Sequence, residues 1–139
     1  MKPVTIEMIQ DYRINELKYD FMGYVFKDLR ELSFHHLIVP RHLCPKKRLG
    51  DGYFKWNGAI LVRDTAHDYL HLIEHYDEDL FELITAEMID QNVKNRLDIE
   101  NLKRIRNILL AFETEYADEV DTHGKRLIKD KFITNRIRL

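Results

Sequence analysis

Two short β-type runs and one helical run lie within residues 33–76, and their order restricts the fold more than any other feature of the chain. Phe34–Val39 is rich in aromatic and β-branched residues and is stopped by Pro40, so it predicts a strand ending at the proline. From Pro40 to Trp56 there are two prolines, two glycines and the basic cluster Lys46, Lys47 and Arg48, with no sustained periodicity, which predicts a long loop. Asn57–Arg63 (NGAILVR) predicts a second strand, and Asp64 or Thr65 stands where a helix over Ala66–Tyr76 needs its N-cap. A strand, loop, strand, helix unit of this kind buries its apolar faces by closing into a hairpin with the helix packed on it.

The flanks supply helices. Ile6, Ile9, Ile14 and Leu17 recur at loosely helical spacing within residues 5–19, which predicts a first helix and leaves a strand as the alternative. Leu80, Leu83, Ile84, Met88 and Ile89 predict one amphipathic helix, and Ile99, Leu102, Ile105, Leu109 and Phe112 another. No repeat or Gly/Ser linker interrupts the chain, and 139 residues suit one domain. The expected organisation is a single α+β domain over 1–139. Its nucleus spans about 33–76, its helical C-terminal extension about 77–120 and its basic tail 121–139.

Composition excludes several classes. With 45% apolar and 33% charged residues the chain has the profile of a soluble globular protein, not a disordered or fibrous one. No run approaches the roughly 18 to 20 apolar residues of a membrane span, and the N-terminus lacks a secretion-type apolar core. Cytoplasmic residence without a membrane partner is therefore expected. Cys44 is the only cysteine, which rules out an internal disulfide and a cysteine-rich zinc ribbon, so any metal must be held mainly by histidine and oxygen. The net charge of −2 hides a division. Residues 77–120 carry twelve acidic and five basic side chains, whereas 121–139 carry six basic (Lys125, Arg126, Lys129, Lys131, Arg136, Arg138) and two acidic. The tail is thus either a phosphate-binding arm or a solvated charged segment.

Histidine spacing points to the chemistry. His67 and His71 lie four residues apart on the predicted helix, roughly 40° apart around its axis, and can chelate one ion. His35 and His36 lie on the first strand, which the hairpin brings toward that helix. Three imidazoles converging there would leave a metal position open for water or substrate, with the fourth histidine free as a base. One geometric demand follows. Adjacent strand residues point to opposite faces, so for both His35 and His36 to serve one site the strand must bend, or His36 must reach the site from the hairpin's edge.

FHHLIVP, then WNGAILV, then HDYLH, about a third of the chain, resembles the HNH nuclease family, also called the ββα-metal or His-Me finger fold, and most closely its colicin-DNase-like branch. The resemblance implies that His35, His67 and His71 are ligands of one divalent ion (magnesium, manganese, nickel or zinc), that His36 is the general base, and that Asn57 orients the loop carrying it. It implies an endonuclease hydrolysing DNA phosphodiesters, with a homodimer left open. Hydrolysis builds negative charge on the phosphate and the departing oxygen, which a divalent ion stabilises, and an imidazole of ordinary pKa, about 6.5, accepts a proton from water near neutrality.

Arg41, Lys46, Lys47 and Arg48 would neutralise flanking phosphates beside such a site, with solvated surface charge as the alternative. Tyr53, Phe54 and Trp56 are expected to pack beneath the loop more than to stack on bases. His42, His75 and His123 match no family position and are expected to face solvent or hydrogen-bond locally, with no catalytic role. The competing function is a metal-stabilised module on the same fold that binds nucleic acid or protein without cutting it.

Overall fold

The computed structural model describes residues 1–44 and 51–139. The chain is mixed α/β, with one two-stranded antiparallel hairpin and several helices. Helices α1 (Pro3–Asp11) and α2 (Ile14–Leu17) precede strands β1 (Leu32–His36) and β2 (Gly58–Val62). A π-helical turn, Arg63–His67, leads into α3 (Asp68–Tyr76). The chain continues through α4 (Glu78–Lys94), α5 (Ile99–Tyr116) and the short α6 (Asp130–Thr134). Among the described residues, no helix is long and apolar enough to cross a membrane.

The single N-terminal helix expected over 5–19 is two helices, because Arg13 takes a left-handed φ of 57° between them. Ile9 and Ile14 on either side of the break still reach the core.

β1 begins and ends earlier than the apolar run Phe34–Val39 suggests. Its pairing runs from Leu32 opposite Val62 to His36 opposite Gly58, and there the ladder is diverted. The Leu37 amide donates to the Asn57 carbonyl, and the amides of Ile38 and Val39 donate to Asn57 Oδ1. A side chain thus takes the place of the next strand residues.

β2 is buried along its whole length. Its second edge is sealed by contacts from the 20–24 loop and α4. The Phe21 amide donates to the Ile60 carbonyl, Asn92 Nδ2 donates to the Gly58 carbonyl, and the Val62 amide donates to the carboxylate of the fully buried Asp20. Asp20 also accepts from the amides of Met22 and Tyr24, which holds the 20–24 loop in place. Burial pushes its carboxyl up to about 7, against the pull of these amides.

Neither Asp64 nor Thr65 caps α3. The backbone turns from β2 straight into the π-helical turn, and the buried Thr65 hydroxyl has no partner among the described residues. α4 and α5 match the apolar patterns at 80–89 and 99–112, each capped by an aspartate, Asp77 accepting from the Leu80 amide and Asp98 from the Glu100 amide. Ile84, Met88, Ile105, Leu109 and Phe112 join Tyr69, Leu70 and Ile73 of α3 and the residues of β2 in one core.

Part of the basic tail is structural. Phe132 of α6 is buried and stacks on Tyr69, ring centroids 4.6 Å apart. Arg136 makes a two-pronged ion pair with Glu113 at 2.8 and 2.9 Å. The same carboxylate accepts from the Tyr69 hydroxyl, and the Tyr24 hydroxyl donates to the Phe132 carbonyl. The charge of Arg136 is thus paired within the fold.

Candidate metal centre and its cleft

Strand alternation decides where the paired histidines go. Ser33 and His35 face the turn and helix that follow β2, whereas Phe34 and His36 face the loop side. The bend expected at the pair is not needed, because the pairing stays in register through His36 and the two imidazoles simply diverge. Both still line one cleft of about 500 Å³, since β1 stops at His36.

On the first face His35 meets His67 and His71. One nitrogen from each lies within 4.8 Å of the others, close enough to bind one metal ion. His35 Nδ1 and His67 Nε2 are 3.3 Å apart. Two nitrogens sharing an ion with bonds of about 2.1 Å at a tetrahedral angle stand roughly 3.4 Å apart, so this pair already has the spacing of two ligands. His35 is 6% exposed and its Nε2 has no partner among the described residues. Burial first, and then the neighbouring imidazoles, push His35 down to about 3 and His67 down to about 4, so both are neutral at pH 7. His71 stands at the mouth of the cleft, 55% exposed.

Two further side chains contact these imidazoles, and both lay outside the sequence-based set. Ser33 Oγ is 3.0 Å from His67 Nδ1 and donates to the Leu61 carbonyl at 3.2 Å. Glu74 Oε1 is 3.4 Å from His71 Nδ1. Spacing held the signal in each case, for Ser33 is two residues before His35 on one strand face and Glu74 is three after His71 on one helix face.

On the other face His36 Nε2 is 2.6 Å from the Asp51 carbonyl, and its ring lies edge-on to Phe34 and Tyr53, each with centroids 5.0 Å away. Asn57 is fully buried and braces this region. Besides accepting from Ile38 and Val39, its Nδ2 donates to the carbonyls of Val39 and Gly52 at 2.9 and 3.1 Å. Gly52 has a φ of +77°, and a Cβ there would come within 2.5 Å of Cys44 Sγ and 2.9 Å of the His36 ring. Only glycine satisfies both the conformation and the space.

The aromatic cluster divides. Tyr53 packs on Phe34 beneath the cations of Lys2 and Arg41, as the packing expectation has it. Phe54 and Trp56 instead stack on each other at the surface, because the tight turn at Lys55–Asn57 carries them outward. Arg41 lines the cleft and lies 3.8 Å from Asp51. Lys46, Lys47 and Arg48 lie outside the described residues. His75 and His123 are exposed, and His42, also exposed, lines the same cleft as the cluster, a position its sequence context did not signal. A second groove of about 410 Å³ shares His71 with the cleft and is lined by Arg126 and Lys129 from the tail, together with Asp68 and Asp121.

Compared with protein-family models, curated proteins and solved structures, the chain finds no match.

Proposed function

We propose that this chain is a metal-dependent endonuclease of the HNH kind, built on a ββα-metal nucleus of β1, β2 and α3, with one divalent ion held by His35, His67 and His71 and His36 as general base. The reading is carried by the convergence on one point of three imidazoles from β1, the π-helical turn and α3, with a fourth at the adjoining register position in the same cleft. Three neutral nitrogen donors suit zinc or nickel, and His71 at the cleft mouth leaves the ion accessible. A divalent ion bound there supplies stabilisation of the charge that builds on a scissile phosphate and its departing oxygen.

The chain's own residues supply the rest. The Asp51 carbonyl accepts from His36 Nε2–H, which leaves Nδ1 as the nitrogen with a lone pair, the state a general base needs. Asn57 ties residues 38–39 to Gly52, so the strand end and the loop that flank His36 keep one geometry. Arg41 at the cleft wall is a cation available to the phosphate backbone of DNA, the partner proposed here.

The test is cleavage of supercoiled plasmid in magnesium, manganese, nickel or zinc. His36→Ala should lose at least about 100-fold in rate while keeping its metal content. His67→Ala should lose both. Undiminished cleavage by His36→Ala would remove the base from the scheme. If no ion supports cleavage of single-stranded, duplex or branched DNA, yet metal raises the melting temperature, the non-cleaving binding module replaces this reading.

A further inference from the structure

Beyond the ligand set, the contacts around His67 bear on which of its nitrogens carries the proton. We propose that Ser33 is a positioning residue of the metal centre, holding His67 in the Nδ1–H tautomer so that its Nε2 lone pair faces His35 and His71. The inference rests on the metal reading above for its purpose, but not for its geometry.

The argument follows the single hydroxyl hydrogen of Ser33. That hydrogen is given to the Leu61 carbonyl at 3.2 Å, across the β1–β2 pairing that sets Ser33 opposite Leu61. Both contacts are hydrogen bonds at once only when Nδ1 of His67, 3.0 Å away, donates to a lone pair of Oγ. A neutral imidazole has one N–H, and the consequence is a bare Nε2, the atom 3.3 Å from His35 Nδ1. Without this constraint a histidine side chain in water favours the opposite tautomer, with its proton on Nε2, where it would block the ligand position. Glu74 makes the corresponding contact to His71 at 3.4 Å, but both side chains are about half exposed and water can substitute for the carboxylate. Ser33 and His67 are both less exposed than that pair, so the hydroxyl is the harder of the two contacts for water to replace. Groups that orient a metal-binding imidazole in this way typically change metal affinity by about 10–100-fold when removed.

The experiment uses the full chain labelled with ¹⁵N at histidine. Long-range ¹H–¹⁵N spectra of the metal-free protein report the tautomer of His67, and calorimetric titration with zinc reports affinity, for the wild type, Ser33→Ala and Ser33→Thr. The wild type should show His67 protonated at Nδ1. Ser33→Ala should shift His67 toward the Nε2–H form and weaken zinc binding about 10–100-fold, and Ser33→Thr, which keeps the hydroxyl on a strand position, should restore both. A wild-type His67 protonated at Nε2, or Ser33→Ala binding zinc as tightly as the wild type, overturns the proposal. If the wild type takes up no zinc, the metal reading falls, and the tautomer spectrum still decides the role of Ser33 by itself. The wild-type spectrum and Ser33→Thr keep the test decisive should Ser33→Ala misfold.

Discussion

Asn57 uses its full hydrogen-bonding capacity without touching the histidine cluster, accepting two backbone amides and donating to two carbonyls. Asn57→Ala leaves these buried and part-buried groups without that partner and should cost about 3 kcal/mol in a urea titration, while lowering any cleavage rate through His36. A stability loss under about 0.5 kcal/mol would mean that water replaces the side chain. Protonation gives a second residue-scale prediction. His35 and His67 have folded-state values pushed down to about 3 and 4, below the ordinary 6.5, so the stability they contribute is present above 6.5 and is lost as pH falls toward those values. Asp20 acts in the opposite sense, because a value pushed up to about 7 favours the folded state at low pH and loses that contribution as pH rises. Between about pH 4 and 6.5 two imidazoles oppose one carboxyl, so the metal-free protein should lose roughly 1.4 kcal/mol per pH unit on acidification. Asp20→Asn should steepen that slope while lowering stability at pH 7, since an amide nitrogen would then face the Val62 amide. A urea midpoint that does not change from pH 4 to 6.5 would contradict the neutral, buried state of the imidazoles.

At the scale of elements, the hairpin depends on a glycine for steric reasons alone. Gly58 has an ordinary extended backbone, but a Cβ there would lie 2.2 Å from the Phe34 ring. Gly58→Ala should displace Phe34, and with it the Tyr53 and His36 rings it contacts, at a cost of about 1–3 kcal/mol read from thermal unfolding. The connection between α4 and α5 depends on Gln91, which is fully buried, donates to the Phe21 carbonyl and accepts from the Asp98 amide. Gln91→Leu keeps the volume and strands both backbone groups, so a loss of about 2–3 kcal/mol is expected. A neutral result would show that the two segments repack. The helices α4 and α5 were legible in the sequence because their apolar residues repeat at helical period. The ends of β1 were not, since what stops it at His36 is a side chain from beyond the intervening loop.

For the molecule as a whole, the acidic extension and the basic tail divide the surface, but only part of the tail is available to a partner. Arg136 is tied to Glu113, whereas Arg126 and Lys129 line a groove that shares His71 with the cleft. Replacing Arg126 and Lys129 together by alanine should weaken DNA binding by His36→Ala protein and reduce the slope of log affinity against log salt by up to about 2, with zinc affinity unchanged. An unchanged slope would exclude the groove from the DNA path. What the residues alone determined is the local part of the protein: the order of strands and helices, the four-residue step that sets His67 beside His71, and the exclusion of an internal disulfide. These depend on periodicity and residue type, which act over a few positions. The family resemblance already named His35 as the histidine that joins His67 and His71, and the tertiary structure is what brings the three together; it alone decided that Ser33 and Glu74 contact two of these imidazoles, that His42 shares their cleft, and that Asp20 seals the edge of β2. Each of these is a contact between segments distant in the chain, created by burial of the shared core, and no spacing within one segment encodes it.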